Sequence, residues 1–217
     1  LRKCKAFPTS NGMKPARLEQ LADGIFAIVM TILVFEIKAP DLVSPTNTHE
    51  LYFALKDLFP VFLSYLLSFS LLFTYWRAHH FFVSVYAKNI DRNLTNINAV
   101  FFLFLTLVPF STSLLGRYND NQLAIIIFGI HTIIIGLCLF WIRGYVFKSE
   151  HIKNIELSKE EINRGTIRIF VPVFFALLAI ILSFLNKDLS LGLFTLAVIF
   201  NFSHRSMIII NRFFKAL

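Results

Sequence analysis

The chain holds 217 residues, 56% of them hydrophobic and 16% aromatic, at a mean hydropathy of +0.67. A soluble domain of this length cannot hide so much apolar surface, so composition points to an all-α, polytopic integral membrane protein. The net charge of +8 does not mark a nucleic-acid binder, because the basic residues sit between hydrophobic runs rather than on one patch.

Residues 1–16 are polar and basic, and Pro8, Gly12 and Pro15 oppose regular structure there. No apolar run with a small-residue cleavage site follows in signal-peptide range, so the first span is expected to be retained. That span, about 18–38, lies between Arg17 and Lys38 and carries Asp23 in its first third. A carboxylate there costs about 2.5–3.5 kcal/mol on insertion scales, so it needs partners or a purpose. At 100° per residue, Ile28, Thr31, Ile32 and Phe35 fall on one stripe that Gly24 and Ile25 continue. Asp23 lies roughly 140° round from Ile28, on the side read as buried.

After a polar loop with Pro40 and Pro45, a helix begins amphipathically beyond Thr48 and becomes the second span, about 54–76, ending in RAHHFF. The third span, about 93–115, is interrupted by Pro109; the fourth covers about 122–145. A charged connector separates it from the fifth, about 167–185, and a short sixth follows at about 189–205. Residues 17–217 therefore read as a single six-helix transmembrane domain behind a 1–16 cytoplasmic segment.

Charge sets the orientation. With the amino terminus inside, 17 of the 21 basic residues fall on inner segments, leaving Lys38, Lys56, Arg117 and Lys187 outside. Both termini are then expected in the cytoplasm of a cell whose plasma membrane the protein spans. No internal repeat is visible, and one six-helix unit leaves little room for its own pore, which favours a homo-oligomer.

Arg17, Asp23, Trp76, His79, His80 and Asn98 share one depth near the inner leaflet on three consecutive helices. They are expected to form one hydrogen-bonded cluster, serving either as a structural clamp or as a proton or ion relay. Zinc is not expected at His79 and His80, since adjacent positions diverge by 100° and no third ligand has sensible spacing. His131 and Asn201 read as packing residues. Glu36, at the outer mouth, is either an interfacial charge or part of an acidic ring. Cys4 and Cys138 give no disulfide framework and no metal-ligand spacing. No phosphate loop, nucleophile elbow or carboxylate pair appears, so neither an enzyme nor a cofactor is expected.

ARLEQLADGIFAI resembles the first-helix Arg-x-x-x-Phe-Ser-Asp signature of the transmembrane protein 175 family, the lysosomal potassium channels and their prokaryotic homologues. Arg17 and Asp23 hold its ends; Leu21 and Ala22 replace Phe and Ser, which removes a hydroxyl from the cluster. Trp76, His79 and His80 are similar to the second-helix Trp-x-x-His-His, and Asn98 with Pro109–Phe110 to the third-helix Asn and Pro-Phe. The matches cover the amino-terminal half; the rest agrees in hydropathy alone. The resemblance implies a homotetramer with first helices around a central pore. It implies no Thr-Val-Gly-Tyr-Gly filter, and none occurs here. It also implies a bulky aliphatic constriction, falling on Ile28 with Thr31 and Phe35 beyond and Gly24 and Ile32 also facing the pore.

The leading expectation is a potassium-permeable cation channel, with potassium and other monovalent cations and the lipid bilayer as its partners. The alternative is a proton-coupled secondary transporter using Asp23 and His79, which discontinuous helices and inverted repeats would favour.

Overall fold

The computed structural model describes residues 15–44, 46–153 and 158–202. The expectations for residues 1–14, for the Asn201 side chain and for the end of the sixth span at 203–205 lie outside what is described. Among the described residues the regular structure is helical apart from one bridge between Ala87 and Lys153. Five helical stretches are long and apolar enough to cross a membrane: Ala16–Glu36, Phe59–Val85, Arg92–Arg117, Gln122–Lys148 and Glu160–Ser183.

The first crossing is α1 (Pro15–Ile32), drawn into a 3₁₀ segment over Leu33–Glu36. Leu18, Ala22, Phe26, Val29 and Leu33 recur at helical spacing and are buried against the bundle. The 3₁₀ turn winds at about 120° per residue, which brings Phe35 round to the side of Ile32, and both are exposed.

Beyond the loop, α2 (Thr48–Asp57) starts at Asn47, whose side chain accepts from the amides of His49 and Glu50. It buries no residue, and its Tyr52, Phe53 and Leu55 are exposed, as suits a helix lying at an interface. The second span therefore does not start at 54. Pro60 has no N–H to continue the ladder, so the chain breaks at Leu58 and α3 (Phe59–His80) begins afresh. It also runs past Trp76 and ends in a π-helical turn, Phe81–Val85, because its terminal polar side chains find partners.

The third span is α4 (Arg92–Leu105) and α5 (Val108–Arg117), broken ahead of Pro109. Asp91 caps α4 by accepting from the amide of Leu94. Burial acts to raise its pKa, but hydrogen bonds from Tyr145, Leu94 N–H and His151 outweigh that and hold it below the usual value. Next come α6 (Gln122–Lys148), α7 (Lys159–Ser183) and α8 (Lys187–Phe202). The fifth helix starts well before 167. Ser158 and Glu161 form a reciprocal capping box and Glu160 pairs with Arg164, so half of the charged connector is helical.

Two apolar cores tie these helices together. One joins α1, α3, α4 and α6 around Phe26, Leu72, Tyr75, Phe101 and Leu139. The other joins α3, α5, α6, α7 and α8 around Leu67, Leu115, Phe128, Ala176 and Phe194. Glycine sets the close approach of α6 to α7. A Cβ at Gly136 would overlap Val173 Cγ2, and one at Gly129 would sit 2.6 Å from Ile180 Cγ1.

Gly136→Val is expected to lower stability by about 1–3 kcal/mol through overpacking. Gly144→Ala, where an added Cβ meets nothing within 4 Å, is expected to leave it unchanged or raise it slightly. Thermal unfolding of both variants in detergent checks the pair.

Candidate functional site

The polar residues near the start of α1 and the end of α3 form a ladder between these antiparallel helices. Glu19 and Asp23 are one turn apart on α1, as are Trp76 and His80 on α3. Trp76 Nε1 donates to Asp23 Oδ1 at 2.8 Å, and His80 Nδ1 lies 3.3 Å from Glu19 Oε1. The Trp76 and His80 rings stack between the two rungs, 5.9 Å apart.

His79 points the other way. Its Nε2 donates to Asn98 Oδ1 at 2.6 Å, while Asn98 Nδ2 donates to Leu94 O at 2.8 Å. Both side chains are buried, and the imidazole stacks on Phe101 and touches Phe26 and Phe102. The expected single cluster is thus two sets: Asp23–Trp76–His80–Glu19 between α1 and α3, and His79–Asn98 between α3 and α4. The reason is the 100° between His79 and His80, which sends them to different neighbours. Arg17 is exposed, and no ion pair joins it to Asp23 among the described residues. Asp23 itself is exposed in the chain, not buried as its place on the wheel suggests, because it lies at the margin of the packed face.

The other face of α1 is uncovered. Only 28% of the α1 crossing is buried, against 39–50% in the other four. Ile28 is 58% and Phe35 73% exposed; Thr31 and Ile32 are exposed as well, and a Cβ at Gly24 would meet nothing within 4 Å. Thr31 Oγ1 donates to Ala27 O at 3.0 Å and Ile28 O at 2.8 Å. Its proton is thereby committed to its own helix, leaving the oxygen lone pairs as the outward-facing function, an arrangement that suits a cation.

At the other end of the first crossing Glu36 lies 3.7 Å from Arg117 on α5, so its charge has a partner within the chain. His131 fits the packing expectation. Its Nε2 donates to Phe104 O at 2.9 Å, and Nδ1 meets Ser111 Oγ at 2.8 Å, on either side of the α4–α5 break. Glu19 and Arg117 escaped the sequence reading, although the four-residue spacing of Glu19 from Asp23, matching that of Trp76 from His80, carries the signal for the first. No group of three or more His, Cys, Asp or Glu residues suited to a metal occurs among the described residues.

If the Trp76–Asp23 bond fastens α1 to α3, Asp23→Ala and Trp76→Phe are expected to be non-additive. A double-mutant cycle on thermal stability is expected to give a coupling of about 1 kcal/mol or more; zero coupling would dismiss the clamp.

Comparison with known proteins gives a consistent result. A family model described as endosomal/lysosomal potassium channel TMEM175 matches residues 17–109. A potassium channel of Chryseobacterium sp. is 27% identical over 86% of this chain and 92% of its own length. The mouse endosomal/lysosomal proton channel TMEM175 is 27% identical over 65% of this chain, but over only 28% of its own length. Among solved structures, the crystal structure of a lysosomal potassium-selective channel TMEM175 homologue from Chamaesiphon minutus superposes with a TM-score of 0.72. It is 27% identical and covers 86% of this chain and 95% of that one.

Proposed function

Because the chain is a homologue of the TMEM175 family, we propose that it forms a potassium-permeable cation channel, a homotetramer with α1 of each subunit lining a central pore. The observation that carries this reading is the uncovered face of α1. An isoleucine at 58% exposure, opposite a fully packed face, asks for a neighbour. In this reading four Ile28 side chains converge on the axis as gate and narrowest point. Such an apolar neck dewets when narrow and admits ions when the helices part slightly, so gating needs no large motion.

Thr31 is the next layer outward, and its free lone pairs replace part of the water an ion loses. No Gly-Tyr-Gly filter exists in the sequence, so discrimination rests on dehydration in the neck, and potassium over sodium selectivity is modest. Phe35 flanks the outer mouth, and Gly24 and Ile32 complete the lining. The Glu36 carboxylate is held by Arg117, which argues for an interfacial ion pair over an acidic ring. The inner cluster clamps α1 in place. The protein lies in a prokaryotic plasma membrane, with both termini in the cytoplasm and α8 as the sixth crossing.

A proton-conducting reading draws on the name of the mouse relative. The Asp23–His79 relay within it is disfavoured, since each group is engaged by a different partner. Reversal potentials under a pH gradient, with potassium symmetrical, separate the two.

The assembly is tested by Thr31→Cys on a background lacking Cys4 and Cys138, where oxidation is expected to crosslink neighbouring subunits. Efficient crosslinking from α6 or α7 instead would move the pore elsewhere. The constriction is tested by Ile28→Asn, which places amides in the neck and is expected to raise leak current and weaken potassium over sodium preference. Asn at Val29, which is buried in the subunit core, is expected to change stability more than permeation. Thr31→Val is expected to keep conduction and lose selectivity. Unchanged conductance and selectivity in a stable Ile28→Asn tetramer would refute the ring.

A further inference from the structure

The inner ends of α3 and α7 bring arginines together without a carboxylate between them. Gly165 on α7 is pressed against Phe81 and Phe82; a Cβ there would lie 2.5 Å from Phe81 Cδ1 and 3.0 Å from Phe82 Cζ. Arg77 lies one turn from Phe81 on α3, and Arg168 one turn from Gly165 on antiparallel α7. Both therefore sit about one helical turn deeper than the same contact, at one level of the bilayer. Arg77 and Arg164 act electrostatically on Arg168.

Arg168 Nε is buried and has no hydrogen-bond partner. Among the described residues no carboxylate lies within 4.0 Å of Arg77 or Arg168. The nearby acids are engaged elsewhere: Glu160 with Arg164 at 3.0 Å, and Glu161 in the cap of α7. Arg143 of α6 donates to Thr166 Oγ1 at 2.8 Å, adding a third helix's positive charge to this end. A guanidinium N–H shut away from water without an acceptor costs about 1–3 kcal/mol or more, so the site is incomplete as it stands.

We infer that a phosphate group, the headgroup of an anionic phospholipid, docks between Arg77 and Arg168 at the cytoplasmic end of the α3–α7 groove. The inference rests on the membrane orientation proposed above. Guanidinium forks match phosphate oxygens in pairs, and the inner leaflet concentrates anionic headgroups at this depth. A free phosphate offers the same chemistry, so the test distinguishes the two sources.

Binding is read by thermal shift and by retained lipid, in protein purified in uncharged detergent and given phosphatidylglycerol, phosphatidylcholine or inorganic phosphate. Neither readout depends on current, so failure here is separable from failure of the channel reading. Phosphatidylglycerol is expected to stabilise the protein and phosphatidylcholine not to. Arg77→Gln and Arg168→Gln are each expected to weaken phosphatidylglycerol binding about tenfold, the loss of one charge-assisted bond. Lys56→Gln, at the outer end, is expected to leave it unaltered. Inorganic phosphate giving the same shift, lost in the same variants, would keep the site and make a free anion its occupant. Equal lipid binding by wild type and Arg77→Gln, whose exposed side chain is no threat to folding, would overturn the inference.

Discussion

Lipid solvates no backbone carbonyl, and each irregularity in the described bundle is arranged around that constraint. The deepest one is the break between α4 and α5. Pro109 cannot donate to the preceding turn, and the carbonyls released there would be unsatisfied in hydrocarbon. Thr106 Oγ1 takes Leu103 O, Leu107 N–H and His131 Nε2 both reach Phe104 O, and Ser111 N–H returns to Leu107 O. His131 is thus the side chain from a neighbouring helix that lets a broken helix cross the membrane. The same logic explains the Trp76–Asp23 and His79–Asn98 pairs, where a donor on α3 meets an acceptor on an adjacent helix.

Pairing of this kind divides the molecule into a stiff interior and one loosely held wall. The cores centred on Leu72 and Phe128 fix α3 to α8, and Gly129 and Gly136 let α6 and α7 approach closely. By contrast α1 is attached along one narrow stripe, with two polar rungs near its start and one ion pair just beyond its end. A helix held that way can shift slightly without disturbing the rest of the subunit, which is the property that the proposed gate requires.

Much of this was legible in the residues, for identifiable reasons. That several apolar helices cross a membrane follows from hydropathy, which is a local property. The break at Pro109 follows from a missing N–H. The opposition of Ile28 to the packed stripe follows from a 3.6-residue period. What was not legible depends on relations between helices. The 100° between His79 and His80 is legible, but not that their partners are Asn98 and Glu19, nor that Arg117 reaches back to Glu36. The early start of α7 was obscured because charge was read as loop, whereas Ser158 and Glu161 make it a helix end. The 3₁₀ winding over Leu33–Glu36 leaves no compositional mark either.

The break ahead of Pro109 also has a mechanical meaning. An unbroken helix resists bending because every turn would have to stretch its own hydrogen bonds. Beside the break, Leu103 O and Val108 O are already held by side chains and Phe104 O by a histidine on α6, so α5 is a short lever on a pivot. That lever carries Arg117, grips Glu36, and packs on the 3₁₀ end of α1. A push on the loop between α5 and α6 therefore reaches the Glu36 end of α1 through the Arg117 contact and the packing of α5 on the 3₁₀ segment.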